Sequence, residues 1–195
     1  MRKMFIALLC TLIIAVVLPI RLFSSGINIG QLSASVSLIS KGALDRNEVL
    51  NIIKRAIELN ENFKSMVNRD ENEYLKKRAE VEKYYEEILS PTLVDVVQHL
   101  SEGRDVDLAV EFINLLISYA NSADEQLSYS LGEIFLKNPD LINEVFYKFE
   151  GTKQKIIYNQ LKWGYENVVY SMDKSSQLIK DRYKLLQYLK SMTER

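Results

Sequence analysis

The chain has 195 residues and is almost neutral, with 25 Lys and Arg against 26 Asp and Glu. It contains a single cysteine and a single histidine. This composition excludes a disulfide-stapled fold and any metal site that needs two imidazoles from one chain. The absence of a basic excess argues against nucleic acid as a partner.

The first 26 residues have the layout of an export signal. Arg2 and Lys3 precede an uncharged apolar run of 17 residues at 4–20, and small residues follow at 24–26. A positive start, an apolar core and a small-residue cleavage site are typical of secretory signals. We therefore interpret residues 1–26 as a signal peptide and expect a periplasmic or extracellular protein. The alternative is an uncleaved anchor in the inner membrane, because 17 apolar residues are just enough to span a bilayer.

The rest of the chain divides into a short arm and one domain. Residues 27–44 are rich in Ser, Gly and isolated aliphatic residues, which predicts a flexible linker. Residues 45–195 have the length of one ordinary domain and show helical periodicity with no strand pattern. We expect a single all-α domain of about seven to eight helices.

Capping signals divide the first half of this domain. Asp45 with Glu48 forms a capping box, and a polar stretch at 68–72 separates a first helix from a second. Ser90–Pro91 is interpreted as the capped start of a further helix, which Gly103 ends.

Similar signals divide the second half. Asp105 caps a helix that is apolar around most of its circumference and is therefore predicted to be central. The remaining starts are predicted at a capping box of Ser122 and Glu125, at Asn138–Pro139, after Gly151, and near residue 174 for the last helix.

From residue 91 onward the predicted helices fall into pairs. The pairs are 91–102 with 106–120, 123–137 with 139–149, and 153–171 with 174–192. Each pair has the size of one unit in helical-repeat proteins, so the pattern resembles HEAT- or TPR-like stacking. No residue-by-residue repeat accompanies it. We predict an irregular array of antiparallel helix hairpins, either stacked in this way or folded into a compact bundle.

No motif for catalysis or cofactor binding is present. The only histidine, His99, lies four residues after Asp95 on a predicted helix, which would suit a proton-transfer pair or half of a metal site. A partly exposed histidine beside a helix-surface carboxylate is the simpler interpretation. Nucleophile elbows and phosphate-binding glycine loops are absent from the sequence. We expect no enzyme activity, no cofactor and no metal.

One helix carries a candidate partner-binding strip. After Thr152, Ile156, Trp163 and Tyr170 recur every seven residues, and Lys162 and Tyr158 lie nearby. They lie nearly opposite a first apolar face, which consists of Ile157, Leu161, Gly164 and Val168. Such an aromatic and basic strip would suit a helix or extended peptide of another protein. The alternative is that this helix packs between two neighbours.

Charge is distributed unevenly along the domain. Residues 90–150 contain 3 basic and 11 acidic side chains, whereas residues 151–195 contain 9 and 4. The prediction that follows is an exported, non-enzymatic protein that binds or scaffolds another protein in the cell envelope. One alternative is an inhibitor or immunity-type protein that sets its acidic surface against a basic enzyme cleft. The other is a hydrolase that works through carboxylates.

Overall fold

The computed structural model describes residues 43–66, 70–120 and 125–194. The predicted signal peptide and linker residues 27–42 lie outside these ranges, as does Ser122 of one predicted capping box. The signal, its cleavage and the anchor alternative therefore stay predictions.

The described residues contain helices and no strand, which confirms the all-α prediction. Eight α-helices and one π-helical segment are present in these ranges: α1 (Arg46–Lys64), α2 (Glu71–Tyr84), the π segment (Tyr85–Leu89), α3 (Ser90–Glu102), α4 (Val106–Ser118), α5 (Gln126–Lys137), α6 (Pro139–Phe146), α7 (Thr152–Val168) and α8 (Gln177–Thr193).

At three of the predicted helix starts, the predicted side chain caps the helix. Asp45 accepts hydrogen bonds from the backbone of the first turn of α1, and its own amide donates to the carboxylate of Glu48, at 3.0 Å. Asp105 and Asn138 accept from backbone amides in the first turns of α4 and α6. Each bond satisfies an amide that has no partner inside its own helix.

The predicted capped start at Ser90 is wrong, because α2, the π segment and α3 follow one another without a break. The amide of Ser90 donates to the carbonyl of Tyr85, five residues back, and its hydroxyl donates to Gln126 at 2.7 Å. Pro91 has no amide hydrogen, and its ring would clash with the carbonyl four residues earlier in a regular helix. Widening the preceding turn to a π segment keeps the chain helical through the proline.

The helices pack as an irregular array of hairpins. Helix α3 packs on α5 and α5 on α7, while α4 packs on α6 and on α1. Helix α4 also contacts α3 and α7, so it lies at the centre as predicted. Its buried residues are Leu108, Ala109, Phe112, Ile113, Leu115, Leu116 and Ser118.

Two glycines bring α5 and α7 into backbone contact. A Cβ atom on Gly164 would overlap the carbonyl oxygen of Ser128, and one on Gly132 would overlap the backbone of Gly164. Ser128 and both glycines are buried. Small residues at this crossing therefore set the distance between α5 and α7, which belong to the last two hairpins.

An ion pair fixes the start of α1 to the start of α4. The guanidinium of Arg46 donates to both carboxylate oxygens of Asp105, at 2.5 and 2.9 Å. This contact holds the pKa of Asp105 below its ordinary value of 3.8, and the amide of Leu108 lowers it further. The same carboxylate thus caps α4 and joins two helices that are distant in sequence.

We expect Asp105→Ala to lower the free energy of unfolding by about 1–2 kcal/mol at neutral pH, since it removes a cap and a partly exposed ion pair. The pKa of Asp105 is depressed in the folded state, so its contribution is complete above pH 3.8 and is lost as the pH falls below that value. Urea unfolding at pH 7 and pH 3 measures this loss.

Asp107→Ala is the matched control, because it removes an exposed carboxylate from the same turn without removing the cap. It should change stability by less than about 0.5 kcal/mol. Equal losses in the two variants at pH 7 would contradict the role given to Asp105.

Candidate partner-binding site

The five residues of the predicted strip do not share one exposed face. Tyr158 is only 6% exposed and belongs to the core, whereas Ile156 and Trp163 are half-buried. Lys162 is exposed and donates to Glu166 at 2.7 Å, a contact that raises the pKa of the lysine. Tyr170 lies just beyond the end of α7 and is 80% exposed. Lys162 on α7 and Tyr170 just beyond the helix are therefore exposed to solvent, whereas Tyr158 packs inside.

Two further exposed apolar residues, which the sequence pattern did not single out, follow Tyr170 within eight residues of chain and form an exposed apolar cluster in sequence with it. Met172 and Leu178 are 42% and 47% exposed, and Lys174 places its Nζ 5.9 Å from the centre of the Tyr170 ring. Helix α8 begins at Gln177, later than predicted, with Ser176 as its cap. We call these four residues, Tyr170, Met172, Lys174 and Leu178, the α7–α8 surface.

The segment that contains α7 and α8 carries an excess of positive charge. Residues 151–195 contain 9 basic and 4 acidic side chains. Each of the four carboxylates already has a partner nearby in sequence. Glu166, Asp181 and Glu194 form salt bridges with lysines three or four residues away, and Asp173 accepts a hydrogen bond from Ser175. The positive excess of this segment would favour an acidic partner.

His99 forms a hydrogen bond that joins two parts of the fold. Its Nε2 lies 3.0 Å from the carbonyl oxygen of Leu44, and because a carbonyl can only accept, the ring donates. The bond holds the residue before the cap of α1 against α3. No cluster of three or more His, Cys, Asp or Glu suited to a metal ion occurs in the described ranges.

In the described part of the acidic segment 90–150, two carboxylates form salt bridges with basic groups. Asp105 pairs with Arg46, and Glu144 accepts from Arg104 at 2.7 Å. A concavity of about 430 Å³ beside α1 and α4 is lined by both signs of charge, since Lys54 and Lys148 line it as well as Asp107 and Glu111. This concavity therefore offers no uniformly acidic surface to a basic cleft.

The described residues form an all-α array of helix hairpins, and the segment with α7 and α8 has an excess of basic residues and exposes apolar side chains. No protein family matches the chain, and no curated protein or solved structure is significantly similar to it. None of the helices in the described part of the chain combines the length and hydropathy of a membrane span.

Proposed function

We propose that this protein is a non-enzymatic helical array that binds or scaffolds another protein in the cell envelope, and that the α7–α8 surface is its docking site. The observation that carries the proposal is the exposure of three large apolar side chains, Tyr170, Met172 and Leu178, within nine residues of chain. The placement in the envelope rests on the signal-like sequence at 1–26.

Clustered exposure of this kind favours a binding role. Single apolar residues on a surface are common, whereas a cluster of them is more typical of an interaction site. Tyrosine and methionine are enriched where proteins meet, since a tyrosine ring buries a large area and methionine adapts to its neighbours. Leu75 and Val94, two other exposed apolar residues, lie on α2 and α3.

Charge indicates the chemistry of the partner. The carboxylates near the α7–α8 surface are already engaged, while Lys174 lies over the Tyr170 ring and is exposed. A partner segment with apolar side chains flanked by Asp or Glu would cover the apolar cluster and pair with the lysines. An acidic amphipathic helix has this composition.

The test is a comparison of two triple variants as affinity baits for envelope extract. Tyr170→Ala, Met172→Ala and Leu178→Ala together remove the apolar cluster, and all three positions are exposed, so we expect folding to be kept. We expect this variant to retain the specific partner at least roughly tenfold less than wild type, because clustered anchors carry most of the binding energy.

Leu75→Ala, Val94→Ala and Tyr129→Ala form the control, since they remove exposed apolar residues from α2, α3 and α5. This control should bind as wild type does, and raising the salt should weaken capture by both. Equal retention by the two triple variants would oppose the docking site. A captured basic enzyme that loses activity when bound would favour the inhibitor alternative instead.

A further inference from the structure

A small concavity lies between α1, α2 and the π segment. The residues that line it are distant in sequence from the α7–α8 surface. Its volume is about 240 Å³, below the range of pockets that hold drug-sized ligands. The walls are mostly apolar, and three of the lining residues are aromatic. The cavity therefore has room only for a small ligand with apolar surface.

The aromatic side chains come from three different elements. Phe63 lies on α1, Tyr85 on the π segment and Tyr119 directly after α4. The rings of Tyr85 and Tyr119 are 5.6 Å apart and tilted by 44°, and Tyr74 packs on Phe63 at 4.9 Å. Aromatic faces carry partial negative charge, so a group of such rings attracts a cation that is weakly hydrated.

The charged groups at the cavity add to this attraction. Arg78 donates to Glu82 at 2.7 Å, so these two side chains compensate one another. Glu86 lines the same cavity, is exposed, and forms no salt bridge with another described residue. The lining therefore has an excess of one negative charge.

Asn60 also lines the cavity, and hydrogen bonds hold its side-chain amide in place. Asn60 is only 7% exposed, and its Nδ2 donates to the carbonyl and the hydroxyl of Ser118, at 2.8 and 2.9 Å. Because a backbone carbonyl can only accept, this bond fixes the orientation of the amide. The Oδ1 of Asn60 is thus the acceptor atom of an amide whose orientation is set.

We propose that this cavity binds a small quaternary ammonium compound, with the alkylated cation against Phe63, Tyr85 and Tyr119 and with Glu86 balancing its charge. A methylated ammonium group is both apolar and cationic, which matches aromatic walls beside one carboxylate. A hydroxyl on such a ligand would donate to the Oδ1 of Asn60. The site is independent of the docking function proposed above.

The test is calorimetric titration of the protein purified from expressing cells with choline and with 3,3-dimethylbutan-1-ol, which has the same shape without the charge. We expect choline to bind at least roughly tenfold more tightly, as the charge supplies the cation–π attraction. Equal binding of the two probes, or no binding of choline at millimolar concentration, would overturn the proposal.

Two substitutions at neighbouring glutamates locate the site. Glu86→Gln should weaken choline binding about three- to tenfold while leaving the neutral probe unchanged. Glu87→Gln is the control, because Glu87 does not line the cavity and its Oε2 lies 4.0 Å from the Nζ of Lys83. Both positions are exposed, so neither change should affect folding. Equal choline affinities for the two variants would contradict the assignment.

Discussion

Gly164→Ala is expected to lower the free energy of unfolding by about 3 kcal/mol or more. The added methyl group would overlap the carbonyl oxygen of Ser128 on α5, and a backbone atom inside a helix cannot turn aside as a flexible side chain can. Helix propensity alone would predict the opposite, a gain of about 1 kcal/mol from glycine to alanine. The sign of the change therefore separates the two effects.

Asn159→Ala in the same helix is the matched control. Asn159 is exposed, so this substitution should leave stability unchanged or raise it slightly. Urea unfolding followed by the fluorescence of Trp163, the only tryptophan in the chain, measures both variants. A Gly164→Ala protein as stable as the control would show that α5 and α7 are not in backbone contact.

Tyr165→Ala should cost about 3–5 kcal/mol, the usual range for removing a buried aromatic ring. Tyr165 is fully buried, and its ring makes edge-to-face contacts with Phe135 and Tyr183, each at 5.4 Å. Tyr165→Phe keeps these contacts and removes only a 3.3 Å hydrogen bond to the carbonyl of Ile179, so it should cost about 1 kcal/mol.

The two variants also differ from wild type in their dependence on pH. Burial raises the pKa of Tyr165 from 10.0 to about 12, because the phenolate would be poorly solvated. A raised pKa stabilises the folded state fully below pH 10, and this contribution declines as the pH rises toward 12. Tyr165→Phe should therefore lose less stability than wild type between pH 10 and 12.

Unfolding measured across that pH range tests this prediction. Tyr170→Phe is the control, since it removes the same hydroxyl from an exposed ring and should follow the wild-type profile. A Tyr165→Phe protein whose alkaline loss matched that of wild type would show that another group controls it.

The sequence predicted the features that depend on neighbouring residues. Caps at Asp45, Asp105 and Asn138 are local bonds between a side chain and its own helix, so sequence spacing is sufficient to locate them. The inward face of α7 was also predicted, and Leu161 and Gly164 are buried there. The all-α class follows from the same periodicity.

Features that depend on distant contacts could not be predicted in the same way. Ser90 carries the signature of a cap, yet it lies inside a continuous helix and bonds to Gln126 on α5. Periodicity placed Tyr158 beside a strip without showing that it is buried. It also placed Gly164 on an apolar face without showing that Ser128 would approach it so closely. These differences depend on which helix covers which face.

The π segment before Pro91 has a consequence for how this chain can change. A helix turns by about 100° for each residue, so the extra residue in the widened turn sets the rotation of α2 relative to the buried face of α3. Deleting one residue from Tyr85–Leu89 would restore a regular turn and would also rotate every side chain on one side of it. No substitution of one amino acid for another produces that rotation. The angle between the rings of Tyr85 and Tyr119 therefore depends on the number of residues in this segment. Insertions or deletions here should lower the stability of the fold far more than those in the turn at Gly151.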